Sequence, residues 1–218
     1  RKYNENIFIH VDAVQGFLKL PLFILDNIDS VSFSAHKFGG LKGVSSLYIR
    51  DIKKIRPIIF GGGQMNNLFP STENVSAIYS MVQTSIFLFA EISSRIIKNK
   101  EKKEYLIKLL SLDEKLYKNL YLFSNNINFS PYIIKIYNNK IPAQILQNIL
   151  SDENIMVSIG SACSSNRKKE LFDFRLYGLP SNLSDKGIRV SLFIGETKEE
   201  IEIFISKLSQ IISKYSFL

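Results

Sequence analysis

The sequence predicts an α/β protein. Part of a larger domain with a mostly parallel sheet covers residues 1–119, and a smaller α+β domain covers 120–218. Three observations predict this. Short apolar runs in the first quarter end in polar or glycine-bearing loops, the pattern of strands in a sheet covered on both faces. A long helical pattern follows, from residue 74 to about 122. Beyond it, brief strand-like runs alternate with two segments that carry helix-start signals.

In order, residues 7–11 (Ile-Phe-Ile-His-Val) read as a buried strand, and Asp12-Ala13-Val14-Gln15-Gly16 as the loop at its C-terminal end. Residues 31–34 are a second strand and 44–49 a third. In the helical region Ile78, Met81, Val82, Ser85, Ile86 and Phe89 recur at spacings of three and four. The lysine-rich stretch 98–103 reads as a solvated face or a connection between two helices. Residues 131–137 form a strand, 142–150 a helix with proline near its start, and 155–158 and 188–192 two further strands. Thr197 followed by Glu200 is a capping-box pattern. It opens a last helix with Ile201, Phe204, Ile205, Leu208, Ile211 and Ile212 on one side. There is no internal repeat.

Bulk composition narrows the function. The chain has 218 residues, and its 45% apolar content is ordinary for a globular protein with a core. Its only cysteine, Cys163, cannot close an intrachain disulfide, so the expected setting is a reducing cytoplasm. No run reaches the roughly 20 apolar residues of a membrane helix, and no signal peptide is visible, so no membrane partner is expected. The sequence enters an apolar strand almost directly after Arg1, which leads us to expect a longer protein with a preceding N-terminal part. The net charge of +8 comes from 28 basic and 20 acidic residues. Its clusters, 98–103 and 167–169, are short and not interleaved with aromatics, so direct nucleic-acid binding is not expected.

Five residues point to chemistry. Cys163 lies in Gly160-Ser161-Ala162-Cys163-Ser164-Ser165. A structural cysteine usually sits among Leu, Ile and Val, whereas a thiol in a Gly/Ser loop is exposed and free to react; a chance cysteine is the alternative. Lys37 ends Ser34-Ala35-His36-Lys37 and is followed by Phe38-Gly39-Gly40. An amine just past a buried strand suits a Schiff base, since neighbours there can lower its pKa; a surface lysine is the alternative. Ser34 could hydrogen-bond a phosphate. Asp12 stands at a strand end, where ligands gather in parallel sheets, and could pair with a pyridinium nitrogen; a turn residue is the alternative. Gln15 could donate to a ring oxygen.

His10-Val11-Asp12-Ala13-Val14-Gln15 together with Ser32-Phe33-Ser34-Ala35-His36-Lys37-Phe38-Gly39-Gly40 resembles the cofactor-binding core of the cysteine desulfurases. These belong to the class V aminotransferase group of fold type I pyridoxal-phosphate enzymes. The order of later motifs agrees: Gly61-Gly62-Gly63-Gln64, Ser71-Thr72-Glu73-Asn74-Val75, the cysteine loop, and Gly187-Ile188-Arg189-Val190-Ser191-Leu192. The resemblance covers nearly the whole chain and corresponds to the C-terminal half to three-fifths of a full desulfurase.

The resemblance implies pyridoxal 5'-phosphate as cofactor, with Lys37 bonded to it, Asp12 on its ring nitrogen and Gln15 on its ring hydroxyl. It implies Ser34 and His36 at the phosphate, with His36 also in the catalytic group. Thr72 would reach the phosphate of the partner in a homodimer. Arg189 would bind the carboxylate of L-cysteine, although an arginine in a strand can equally pair with an acidic residue. Cys163 would take the sulfur as a persulfide, release L-alanine, and pass the sulfur to an acceptor protein such as an iron–sulfur scaffold, or into tRNA thiolation. A selenocysteine lyase or another class V aminotransferase-like enzyme is an alternative. So is an inactive truncated copy that keeps only its partner-binding surfaces.

The sequence departs from the family pattern in three places. The family has arginine between the triple glycine and the threonine, where Met65-Asn66-Asn67-Leu68-Phe69-Pro70-Ser71 has none. Phe193-Ile194-Gly195 replaces a Gly-Arg-Phe or Gly-His-Phe. The family's stacking histidine, ring-contacting asparagine and glycine-rich phosphate loop would lie upstream of Arg1.

Overall fold

A computed structural model describes residues 4, 6–21, 27–123, 129–160, 179–192 and 195–215. The chain forms two compact units, Arg1–Ser94 and Arg95–Leu218. The sequence boundary at 119/120 marks the start of the second sheet. The structural division comes earlier because Leu106, Leu110 and Leu116, all N-terminal to that sheet, belong to its core.

The first unit holds a three-stranded sheet, β1 (His10–Asp12), β2 (Ser30–Ser34) and β3 (Ser45–Ile49), in that order. β1 and β2 are parallel, with Asp12 opposite Ser32; β3 is antiparallel to β2. Strand alternation puts Ser30, Ser32 and Ser34 on one face of β2 and Val31 and Phe33 on the other. The serine face also carries His10 and Asp12, so it is polar. The His10 ring bonds Ser30 Oγ through Nδ1 (2.7 Å) and Ser32 Oγ through Nε2 (3.3 Å). Buried Asp29 accepts from the Ile9 amide (2.8 Å) and faces Lys54 Nζ at 3.7 Å, which ties the entries of β1 and β2 to the segment after β3.

The apolar face of this sheet is built on aromatics. Phe17 stacks on Phe33 with centroids 3.8 Å apart, and Phe38 leans on both. Leu18, Ala35 and Leu88 complete the buried cluster, with Met81 packed against it. Leu88 and Met81 come from α1 (Val75–Ala90), whose first turn is capped by Asn74 accepting from the Ala77 amide. Before α1, Met65, Asn66 and Asn67 take successive left-handed backbone angles (φ 50°, 56° and 62°). For non-glycine residues this costs on the order of 1 kcal/mol each.

The second unit is a four-stranded antiparallel sheet, ordered β4 (Leu120–Phe123), β5 (Ile133–Asn138), β7 (Gly187–Ser191), β6 (Ser158–Ile159). Helices α2 (Ile92–Leu112), α3 (Ala143–Asp152) and α4 (Lys198–Lys214) supply the other half of its core. Leu110, Ile134, Leu150, Ile188 and Leu208 meet there almost without exposure. Asn138 ends β5: its Oδ1 accepts from the amides of Lys140 and Ile141, and its Nδ2 donates to Lys186 O. Pro142 then caps α3, as the helix-start signal predicts. α4 opens on the expected box, with Glu200 N donating to Thr197 Oγ1 and Thr197 N to Glu200 Oε2.

Three expectations change. Residues 7–9, read as part of a buried strand, precede β1, and Ile7 and Phe8 are exposed there. The helical region ends at Leu112, a single turn follows at Glu114–Tyr117, and residues 120–122, taken as helix, form strand β4. Leu120 to Phe123 register against Asn138 to Lys135 of β5, a pairing partner remote in sequence. The 98–103 stretch is neither a connection nor wholly solvated: it lies inside α2, with Asn99 and Lys103 buried. Among the described residues no single helix is long and apolar enough to cross a membrane.

Candidate functional site

The C-terminal ends of β1 and β2 gather five of the residues singled out in the sequence. Because the strands are parallel neighbours, both deliver their following loops to the same sheet edge, where ligands bind in such sheets. Ala13 N donates to Ser32 O (2.8 Å), fastening the turn after β1 to β2. Asp12 is exposed; its Oδ1 accepts from Val14 N at 2.9 Å, and no partner holds Oδ2 among the described residues. Gln15 Oε1 accepts from Lys19 Nζ at 3.2 Å, which leaves its side-chain NH2 to donate.

β2 ends at buried Ser34 and passes into one 3-10 turn, Ala35–Lys37. Ser34 Oγ shares a hydrogen bond of 2.9 Å with His36 Nδ1 and lies 3.4 Å from Ser45 Oγ. The turn is pinned on both sides, by Ala35 at 0% and Phe38 at 3% exposure. Lys37 therefore hangs between two buried anchors, half-buried itself, its ammonium without a partner among the described residues. The glycines after it are needed: Gly39 has φ +103°, and a Cβ on Gly40 would sit 2.9 Å from that of Ala35.

Thr72 belongs to the same unit, exposed in the irregular stretch before α1. Arg189 lies in the second unit, half-buried in the middle of β7, opposite Lys135 of β5 and Ser158 of β6. Two cations directly across an antiparallel pair repel, and the Lys135 ammonium sits over the Tyr137 ring, 5.0 Å from its centroid. No carboxylate holds Arg189 among the described residues. Lys135 was not singled out by sequence reasoning. Its signal was a lone lysine in the apolar run Ile133-Ile134-Lys135-Ile136. Cys163 and its loop from Ser161 onward lie outside the described residues, as does the Phe193-Ile194 departure.

The donor set fits pyridoxal phosphate. An unpaired amine, a carboxylate with one free oxygen, an amide NH2, a hydroxyl and an imidazole occupy neighbouring strand ends. They match an aldehyde carbon, a ring nitrogen, a ring hydroxyl and a phosphate. Among the described residues no group of three or more His, Cys, Asp or Glu side chains could hold a metal ion.

Comparison with known proteins agrees. The family model described as aminotransferase class-V matches residues 1–204. A cysteine desulfurase IscS of Dictyoglomus turgidum is 34% identical over 217 residues, covering 96% of this chain and 52% of that protein. The cysteine desulfurase IscS of Buchnera aphidicola subsp. Baizongia pistaciae is 33% identical over 214 residues. Among solved structures, a NifS-like protein superposes with a TM-score of 0.84 at 30% identity, over 98% of this chain and 54% of its own. A NifS-like protein from Rickettsia africae gives 0.80 at 30% identity, over 94% of this chain and 54% of its own. The chain thus spans about half the length of the curated relatives it matches. It belongs to the class-V aminotransferase family.

Proposed function

We propose that this chain is the lysine- and thiol-bearing part of a pyridoxal-phosphate-dependent cysteine desulfurase. The first unit would hold the cofactor and the second would carry the reactive thiol. The observation that carries this reading is the pairing of an unspent Asp12 oxygen with an unpartnered Lys37 ammonium at the ends of adjacent parallel strands.

When bound, pyridoxal phosphate supplies an electron sink for bond-breaking at the substrate carbons. The chain's own residues do the rest. Asp12 holds the proton on the ring nitrogen through its free oxygen. Gln15 would donate its amide to the ring hydroxyl, Ser34 and His36, already bonded to each other, would bind the phosphate, and Thr72 would reach the phosphate held by the partner subunit of a homodimer. Lys37 would carry the covalent attachment of the cofactor and would hold or move a proton at the substrate. Arg189 takes the substrate carboxylate. The Cys163 thiolate attacks the sulfur of L-cysteine. The carbon–sulfur bond breaks with its electron pair left on carbon, which gains a proton and becomes the methyl group of alanine. A sulfur–sulfur bond forms on Cys163, so one cysteine and one thiol give one alanine and one persulfide. The persulfide sulfur would go to an acceptor protein such as an iron–sulfur scaffold, in a cytoplasm that keeps the thiol reduced.

A homodimer fits the first unit's surface. Val75, Tyr79, Val82, Ile86 and Phe89 follow 4-3-4-3 spacing along α1 and are all at least 45% exposed. A stripe of that size and regularity is one a second protein surface covers.

The test is reductive trapping. Pyridoxal phosphate added to the purified chain and fixed with borohydride should label the Lys37 peptide in a mass spectrum. Lys37→Ala should abolish that label, and Asp12→Asn should weaken cofactor retention. Label spread over many lysines, or unchanged in Lys37→Ala, would sink the assignment.

A further inference from the structure

The inner face of α2 is polar where a core face should be apolar. Arg95, Asn99 and Lys103 follow one another at i, i+4 and i+8, so they stack along one side of the helix. They are only 5%, 2% and 8% exposed. Lys103 is satisfied: its Nζ donates to Ser130 O (2.9 Å) and reaches Ile133 O (3.4 Å). The other two are not. Asn99 Nδ2 donates to Arg95 O, but Asn99 Oδ1 is buried without a partner among the described residues, as are Nε and Nη1 of Arg95. Tyr132, 3% exposed, joins the cluster: its hydroxyl lacks a well-formed hydrogen bond among the described residues but lies within reach of the Asn99 side chain. Burial pushes its phenol pKa up, and the Arg95 charge and the Asn99 side chain pull it back.

Charge singles out one kind of occupant. Among the described residues of the second unit, the buried charged side chains are Arg95 and Lys103, both cationic. A lysine can escape burial by losing its proton; a guanidinium cannot. Water could satisfy the hydrogen bonds but would leave the charge of Arg95 uncompensated, the costly case.

We propose that Arg95, Asn99 and Tyr132 form a buried receptor for a single carboxylate group. In the occupied state one Arg95 N–H turns to Asn99 Oδ1, while another and the Tyr132 hydroxyl donate to the carboxylate. The group is either a small free carboxylate or an acidic side chain, and the chemistry is the same. The receptor uses none of the residues assigned to pyridoxal phosphate, so it stands or falls apart from the desulfurase reading.

The experiment uses the 218-residue chain with sodium acetate as probe, against sodium chloride at equal ionic strength. Two quantities are read: Tm, and the Arg95 Nε–H resonance with its through-hydrogen-bond couplings by NMR. A saturable rise in Tm of about 3–6 °C at ten times Kd, with a shifted Nε–H resonance, establishes a free carboxylate. A through-hydrogen-bond coupling from the Arg95 Nε–H to an Asp or Glu side-chain carboxylate carbon, with no response to acetate, establishes an acidic side chain in the receptor. No acetate response without that coupling overturns the proposal, as does an acetate response that persists in Arg95→Met. Should Arg95→Met not fold, Tyr132→Phe keeps the guanidinium and is expected to weaken acetate about tenfold; an unchanged Kd there also overturns it.

Discussion

Replacing Gly187 by alanine probes how β7 and β5 are packed. Gly187 stands directly opposite Tyr137, and an added Cβ would lie 2.4 Å from Tyr137 Cε1, 2.6 Å from Cδ1 and 3.2 Å from Cζ. Carbon atoms need about 3.5–4.0 Å. The ring has nowhere to retreat, being 3% exposed and packed on Leu183 and Leu179. Overpacking of this kind costs about 1–3 kcal/mol. Against it, loss of glycine's freedom in the unfolded chain returns about 0.4–1 kcal/mol. We expect a net loss of about 1.3 kcal/mol, a fall in Tm of roughly 3–5 °C for a chain this long. Urea unfolding followed by far-ultraviolet circular dichroism should show a lower midpoint with an unchanged slope. In a Tyr137→Ala background the obstructing ring is gone, so the same glycine change should cost nothing, a coupling of about 1.3 kcal/mol. Gly195→Ala is the control, because its Cβ would meet nothing within 4 Å. An equal cost with and without the Tyr137 ring, or an equal cost at Gly195, would refute the steric reasoning.

Other expectations follow from single contacts. Thr197→Ala removes the hydroxyl half of the capping box on α4 and should cost about 1 kcal/mol, largely restored by Thr197→Ser. The Ser209 hydroxyl, and next the Leu116 amide, hold the Asp113 carboxyl below its ordinary value. A depressed carboxylate stabilises the fold above its unfolded pKa and loses that contribution as pH falls through the folded value. Ser209→Ala should therefore cost about 1 kcal/mol at neutral pH, and a Tm series on acidification should show that cost shrinking; a growing cost contradicts it. Burial pushes the Lys103 ammonium down from its usual value. The folded state then binds this proton less tightly than the unfolded chain, so wild-type stability should rise relative to Lys103→Met between neutral pH and about 10.4. A difference that stays flat over that range rules this out.

The strand-end chemistry was legible because it is local. Asp12 and Gln15 share one turn, and Ser34, His36 and Lys37 another, so their spacing along the chain nearly dictates their placement. The capping box of α4 and the proline start of α3 were legible for the same reason. The helical overrun into 120–122 arose because Leu120-Tyr121-Leu122 continues an apolar helical rhythm, and only its pairing with β5 makes it a strand. α1 was harder still. Its apolar residues surround the helix, and the spacing selected Val82, Ile86 and Phe89, which are exposed, beside Met81, which packs inward.

From the sequence alone came the order of elements apart from β4, and the lysine, aspartate and glutamine at two strand ends. These rest on contacts between residues close in the chain. Tertiary structure alone decided the sheet order β4-β5-β7-β6, the facing of Arg189 by Lys135, and the burial of Arg95 and Asn99 inside a lysine-rich helix. Each of these depends on partners well separated in the chain, from 12–18 residues for the β4–β5 pairing to 54 for Lys135 and Arg189, and a helix's own sequence does not show which of its polar residues the rest of the chain will cover.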